Sequence, residues 1–196
     1  MTDNAPGFRS PQLLDRQQSA LLVVDVQVNL LPKILNHERL LWNVSRLCRG
    51  AAAVGVPLAA TEQYPQGLGA TAAEIVDFLP ERHEKMAFSA AAVRPIVSQL
   101  AEQGIRQIVV CGIETHICVL QTALDLAAEG FDVYVVSDAA GARGTEDHAV
   151  ALERIRDQGL SVVTTEGVLF EWCQSAAEPE FKAIRDLVQE SGPIVG

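Results

Sequence analysis

Ile105-Arg106-Gln107-Ile108-Val109-Val110-Cys111-Gly112-Ile113-Glu114-Thr115-His116-Ile117-Cys118-Val119 reads as a buried strand that turns directly into a helix. The apolar, β-branched run over 105–112 predicts a strand buried on both faces. Gly112 marks the turn, and the apolar spacing over 117–129 predicts the helix. Working outward, the same alternation recurs. Strands are predicted at 131–136 and 160–163, and helices at 145–158 and 181–189. Upstream, Ala20 to Asp25 predicts a strand, and Leu40, Val44, Leu47 and Ala51 give helical spacing over 40–53. Gly55 ends that helix. Val56 to Ala60 predicts a second strand, with Pro57 at its start. Thr61 to Gly69 reads as a loop, 72–78 as a short helix, Glu84 to Phe88 as a weak strand and Val93 to Gln103 as an amphipathic helix.

Strands separated by connections of helical length must pair in parallel, through right-handed crossovers. The reading is therefore one Rossmann-like α/β domain over 1–196, three layers α/β/α, with residues 1–18 as a loose surface arm. In such a sheet, ligands bind beyond the carboxyl ends of the strands.

Composition narrows the function classes. The 196 residues are 48% apolar and 5% aromatic, with a formal net charge of -10. An acidic chain repels nucleic acid and anionic membranes, so neither is an expected partner. No segment has the apolar length of a membrane span, and no secretory signal is read at the N-terminus. The four cysteines, Cys48, Cys111, Cys118 and Cys173, form no CxxC pair. Reduced thiols in the cytoplasm are expected.

Three strand ends carry chemistry. Asp25 closes the first strand, at the rim where ligands bind, although a turn acid or helix N-cap reads equally well. Lys85 lies in Glu84-Lys85-Met86-Ala87-Phe88, where its stem can run along apolar neighbours; the plainer reading is a solvated lysine. Cys118 falls in the first helical turn if Thr115 is the N-cap. Free N–H groups and the helix dipole there lower a thiol's pKa and can bind an oxyanion. The plainer reading of Cys118 is a small buried hydrophobe, as for Cys48 and Cys111.

Five segments stand in an order that resembles the isochorismatase-like cysteine hydrolases, in particular the small isochorismatase-domain-containing branch. They are Val23-Val24-Asp25-Val26-Gln27, Thr61-Glu62-Gln63-Tyr64-Pro65, Lys85 with Phe88-Ser89, Gly112 to Val119, and Gly130 to Ala139 followed by Arg143. The resemblance covers about residues 19 to 165. It implies a six-stranded parallel sheet and an Asp–Lys–Cys triad at Asp25, Lys85 and Cys118. It also implies a cis peptide at Ile113-Glu114, with an oxyanion hole from the backbone N–H groups of Glu114 and Cys118. Family members that bind a metal do so through Asp and His after the second strand. Here that loop reads Glu62-Gln63-Tyr64-Pro65-Gln66, without histidine, so neither a catalytic metal nor a cofactor is expected. Members that cleave a vinyl ether lack the cysteine, so Cys118 points to hydrolysis of a small amide-like carbon–nitrogen substrate through a thioester. The family commonly forms homo-oligomers, and Trp172 reads either as contact surface or as core.

Gln27, Asn29, Glu62, Tyr64, Phe88 and His116 read either as substrate-selecting or as loop structure. His116 and Cys118, two apart, do not share a helix face. Two alternatives belong to other classes. Gly67-Leu68-Gly69-Ala70-Thr71-Ala72 matches a dinucleotide-binding fingerprint, though Tyr64-Pro65-Gln66 separates it from the strand. A non-catalytic binding protein that keeps the fold is the other.

Overall fold

The computed structural model describes residues 9–193. Six strands form one sheet: β1 (Ser19–Val24), β2 (Leu58–Gln63), β3 (Arg82–Lys85), β4 (Gln107–Ile113), β5 (Asp132–Gly141) and β6 (Ser161–Val163). The helices are α1 (His37–Val54), α2 (Pro65–Leu68), α3 (Ala73–Val76), α4 (Arg94–Glu102), α5 (Leu120–Ala128), α6 (Thr145–Asp157), α7 (Thr165–Cys173) and α8 (Phe181–Val188). Strand order is β3-β2-β1-β4-β5-β6, and every pairing is parallel. The order reverses between β1 and β4, which opens a crevice at their carboxyl ends. The expected three-layer α/β/α fold with a six-stranded parallel sheet is the observed one.

Each face of the sheet has its own core. Leu21, Val23, Val109 and Cys111 face α1, α7 and α8 through Leu47, Leu169, Trp172 and Ile184. Leu22, Val24, Ile108 and Val110 face α4, α5 and α6 through Leu100, Ala123, Leu126 and Ile155. Alternate residues of one strand thus serve opposite layers, which is why β1 and β4 read as unbroken apolar runs. Trp172 is fully buried and belongs to the core rather than to a contact surface. Among the described residues no helix is long and apolar enough to cross a membrane.

Several expectations need correction. β2 continues through Thr61, Glu62 and Gln63, so the loop starts at Tyr64. In sequence these polar residues look like loop, but here their side chains find partners in Asp25, Thr71 and Lys85. β3 covers Arg82–Lys85 and stops at the lysine rather than running on to Phe88. β5 extends to Gly141, five residues beyond the apolar run, because its tail pairs with the end of β4 at Gly112↔Ala140 and Ile113↔Gly141. α7 was not anticipated. Residues 1–8 of the expected arm lie outside the described residues, and 9–18 are not loose. Leu14 is fully buried, its N–H donates to Glu171 Oε2 at 2.8 Å, and Arg16 pairs with Glu178 and Glu180.

Gly112 is required where β1 and β4 end. Its φ is +121°, and a Cβ there would run into the carbonyl oxygen of Val24. The close approach brings the residue after β1 next to the turn after β4, and those two places hold Asp25 and Cys118.

Candidate active site

Asp25 follows β1 with a φ of 55°, a left-handed conformation that aspartate tolerates better than most residues. Its side chain is fully buried. Oδ1 accepts the Thr61 hydroxyl at 2.7 Å, and Oδ2 accepts Lys85 Nζ at 2.6 Å. Lys85 closes β3, two strands away, and its side chain is 2% exposed. Its ammonium also donates to Gln63 Oε1 at 2.7 Å, Phe88 O at 2.8 Å and Ala87 O at 3.3 Å. A buried ion pair is tolerable only when such hydrogen bonds satisfy the remaining donors and acceptors. The plainer reading of Lys85, a solvated surface lysine, does not hold.

Cys118 lies in a single π-helical turn, Thr115–Val119, that leads into α5. It is 6% exposed. The thiol is pushed up to about 12, first by burial, then by the negative charge of Asp25; the positive charge of Lys85 acts in the opposite direction. Asp25 and Lys85 are bonded to each other, and both act on the Cys118 thiol. However, the expectation of a thiol acidified by the helix dipole is overturned for the resting site. Burial and an adjacent carboxylate outweigh a dipole effect of about 1 kcal/mol. The resting state is a neutral thiol beside the hydrogen-bonded Asp25–Lys85 pair.

Thr115 is not the N-cap. Glu114 holds that position, without a side-chain cap bond, and the Thr115 hydroxyl bonds His148 Nδ1 at 2.9 Å. The Ile113–Glu114 peptide is cis. The Glu114 carboxylate accepts the Arg143 backbone N–H at 3.1 Å and Arg143 Nε at 3.0 and 3.1 Å.

The residues left open divide as follows. Gln27 is structural: its Oε1 accepts the Gln63 N–H at 2.8 Å, and its Nε2 donates to Gln63 O at 3.0 Å and Gly69 O at 2.6 Å. Glu62 accepts the N–H and the hydroxyl of Thr71, each at 2.7 Å. Asn29 donates to Gly67 O at 3.3 Å. These three fix the segment from Tyr64 to Thr71. Tyr64 and Phe88 stay exposed beside Lys85, at 48% and 53%, and are free to contact a ligand. His116 lines a cleft against Glu146, Asp147 and Val150 of α6, a cleft that includes no member of the triad.

Sequence reasoning missed Thr61, Gln63, Arg143 and His148 as working parts of the site. A cavity of about 190 Å3 between α1 and the β5–α6 corner, lined by Arg39, Asp138, Thr145 and His148, also lies away from the triad. The candidate site is located by its side-chain chemistry, not by the size of a hollow. The fingerprint over Gly67–Ala72 does not form a phosphate-binding turn. It is bound by Gln27 and Asn29, and the helix after it, α3, has only four residues.

Comparison with known proteins agrees with this fold. The isochorismatase domain family matches residues 19–167. Isochorismatase domain-containing protein 2 of Danio rerio is 36% identical over 184 residues, which is 93% of this chain and 93% of that protein. The MAR1 ribonuclease of Caenorhabditis elegans superposes with a TM-score of 0.88 at 30% identity, over 94% of this chain and 96% of that one. YcaC of Escherichia coli, described as an octameric hydrolase of unknown specificity, has a TM-score of 0.82 at 24% identity, over 92% and 97% of the two chains.

Proposed function

The chain belongs to the isochorismatase family, and from that premise we propose that it is a cysteine hydrolase of small amide-like carbon–nitrogen substrates. The family supplies a hydrolase fold; the chemistry rests on the side chains. One observation carries the reading: a fully buried carboxylate, held by Thr61 and Lys85, acts on the acidity of a buried thiol at the strand-order reversal.

In this reading Asp25 removes the Cys118 proton as sulfur attacks the substrate carbonyl carbon. The new oxyanion is bound by the N–H groups of Glu114 and Cys118, each worth roughly 3 kcal/mol in the transition state. Protonated Asp25 passes its proton to the leaving nitrogen, the carbon–nitrogen bond breaks, and a thioester remains. A water then gives a proton to Asp25 and attacks the thioester carbon. The carbon–sulfur bond breaks, the acid leaves, and the proton returns to sulfur. Lys85 stays charged throughout and stabilises whichever of the two partners is ionised. A raised resting pKa suits this scheme, because the thiolate forms only with a substrate in place to receive it.

The ribonuclease named among the structural neighbours suggests RNA as a second substrate class. A net charge of -10 opposes a polyanion at any exposed surface, so we favour small neutral substrates. Assembly into homo-oligomers, as described for YcaC, belongs to the same proposal.

Acid quenching during steady-state hydrolysis tests the reading. Small amides and carbamoyl compounds are screened for amine release, and the quenched protein is weighed and mapped. The expected result is an acyl mass on the peptide that carries Cys118. Turnover with that peptide unmodified and an acyl group elsewhere would overturn it.

A further inference from the structure

The turn that carries Cys118 has no cap of its own, and the side chains that hold it come from one distant corner of the chain. β5 runs beside β4 to Gly141, and the next residues lead into α6. Two side chains of this corner reach back. Arg143 binds Glu114, the residue before the turn, through its backbone N–H at 3.1 Å and through its side-chain Nε, which donates to both carboxylate oxygens at 3.0 and 3.1 Å. His148 binds Thr115, the first residue of the turn, at 2.9 Å. Glu114 and Thr115 are buried, whereas the Arg143 side chain is 58% exposed. Burial holds His148 below its ordinary value, so its ring is neutral at neutral pH and forms an uncharged bond to the hydroxyl.

We propose that Arg143 and His148 are positioning residues that clamp the two residues at the start of the nucleophile turn and so fix where the Cys118 sulfur and the Glu114 N–H point. The proposal rests on Cys118 being the nucleophile. Neither clamp residue bonds to Asp25 or Lys85, and the groups that act on the thiol's pKa are Asp25 and Lys85. The clamp therefore acts through geometry, and its loss should leave the thiol's acidity where it was. A turn made of one π-helical repeat has few internal bonds to hold it, so external bonds decide its orientation.

Alkylation by iodoacetamide, followed by peptide mapping of all four cysteines, reads the clamp without any substrate. Cys48 and Cys111 are fully buried and report global opening. In Arg143→Ala and in His148→Leu, the Cys118 rate should rise by roughly 3- to 10-fold, the factor one lost hydrogen bond supplies. The pH midpoint should stay unchanged, as should the rates at Cys48 and Cys111. His148→Asn, which can still bond the hydroxyl, should restore the wild-type rate. Thr115→Val should match His148→Leu and add nothing to it in the double variant. An unchanged Cys118 rate in every variant would overturn the clamp. So would a rise shared by Cys48 and Cys111, which marks general destabilisation, or a moved midpoint, which marks an electrostatic role. Failure of the cysteine mechanism would show differently, as hydrolysis that persists without the thiol.

Discussion

Cys118→Ala is expected to lose amide turnover by a factor on the order of 10^6, as enzymes do when the attacking atom is removed. The fold should survive. The substitution deletes one sulfur from a site that is 6% exposed, without introducing a polar group or a larger side chain. Its cost should be roughly 1 kcal/mol. Asp25 remains anchored by Thr61 and Lys85, so the buried charges keep their partners. Amine release from any substrate the wild type hydrolyses, with urea unfolding as the control, provides the check. Activity above a tenth of wild type in Cys118→Ala would remove the thiol from the mechanism.

Lys85→Met should produce the larger loss of stability. The ammonium has four acceptors within 3.3 Å, and the side chain is 2% exposed. Methionine fills a similar volume but leaves the Asp25 carboxylate buried with only the Thr61 hydroxyl and the thiol to answer it. Breaking a buried pair in this way costs about 3–5 kcal/mol. Removing the charge as well should recover most of that, so Asp25→Asn with Lys85→Met is expected to be more stable than Lys85→Met alone. Urea midpoints of the wild type and the two variants decide the matter. A single Lys85→Met variant as stable as the wild type would mean that the ion pair is not buried as described.

The sequence carries some of this directly and some not at all. β1 and β4 are legible because strands covered on both faces need apolar residues at every position. β2 beyond Ala60 is not. Thr61, Glu62 and Gln63 look like loop because only their partners, Asp25, Thr71 and Lys85, make polar strand residues satisfactory. α7 is hidden for a different reason. Val168, Leu169, Trp172 and Cys173 are all buried, and Phe170 is also apolar, so the helix shows no clean amphipathic stripe. Asp25, Lys85 and Cys118 were picked out from their places at strand ends and from the resemblance. Neither could pair Glu114 with Arg143, 29 positions away, or Thr115 with His148, 33 positions away. The thiol's acidity is not legible in sequence, because the helix terminus is visible there, whereas burial and the neighbouring carboxylate are not.

Asp25 and Cys118 share one proton in this mechanism, and the pH dependence of Cys118 alkylation in Asp25→Asn addresses that directly. In the wild type the thiol is raised to about 12, with the Asp25 charge as the largest cause after burial. Removing that anion while Lys85 stays cationic favours the thiolate, so the alkylation midpoint must move to lower pH. Hydrolysis, deprived of its acid and base, should fall by roughly 10^2- to 10^4-fold in the same protein. A more reactive thiol in a less active enzyme is the predicted result. A midpoint that does not move, or that moves upward, would contradict it, because the carboxylate would then have no hold on the sulfur's proton.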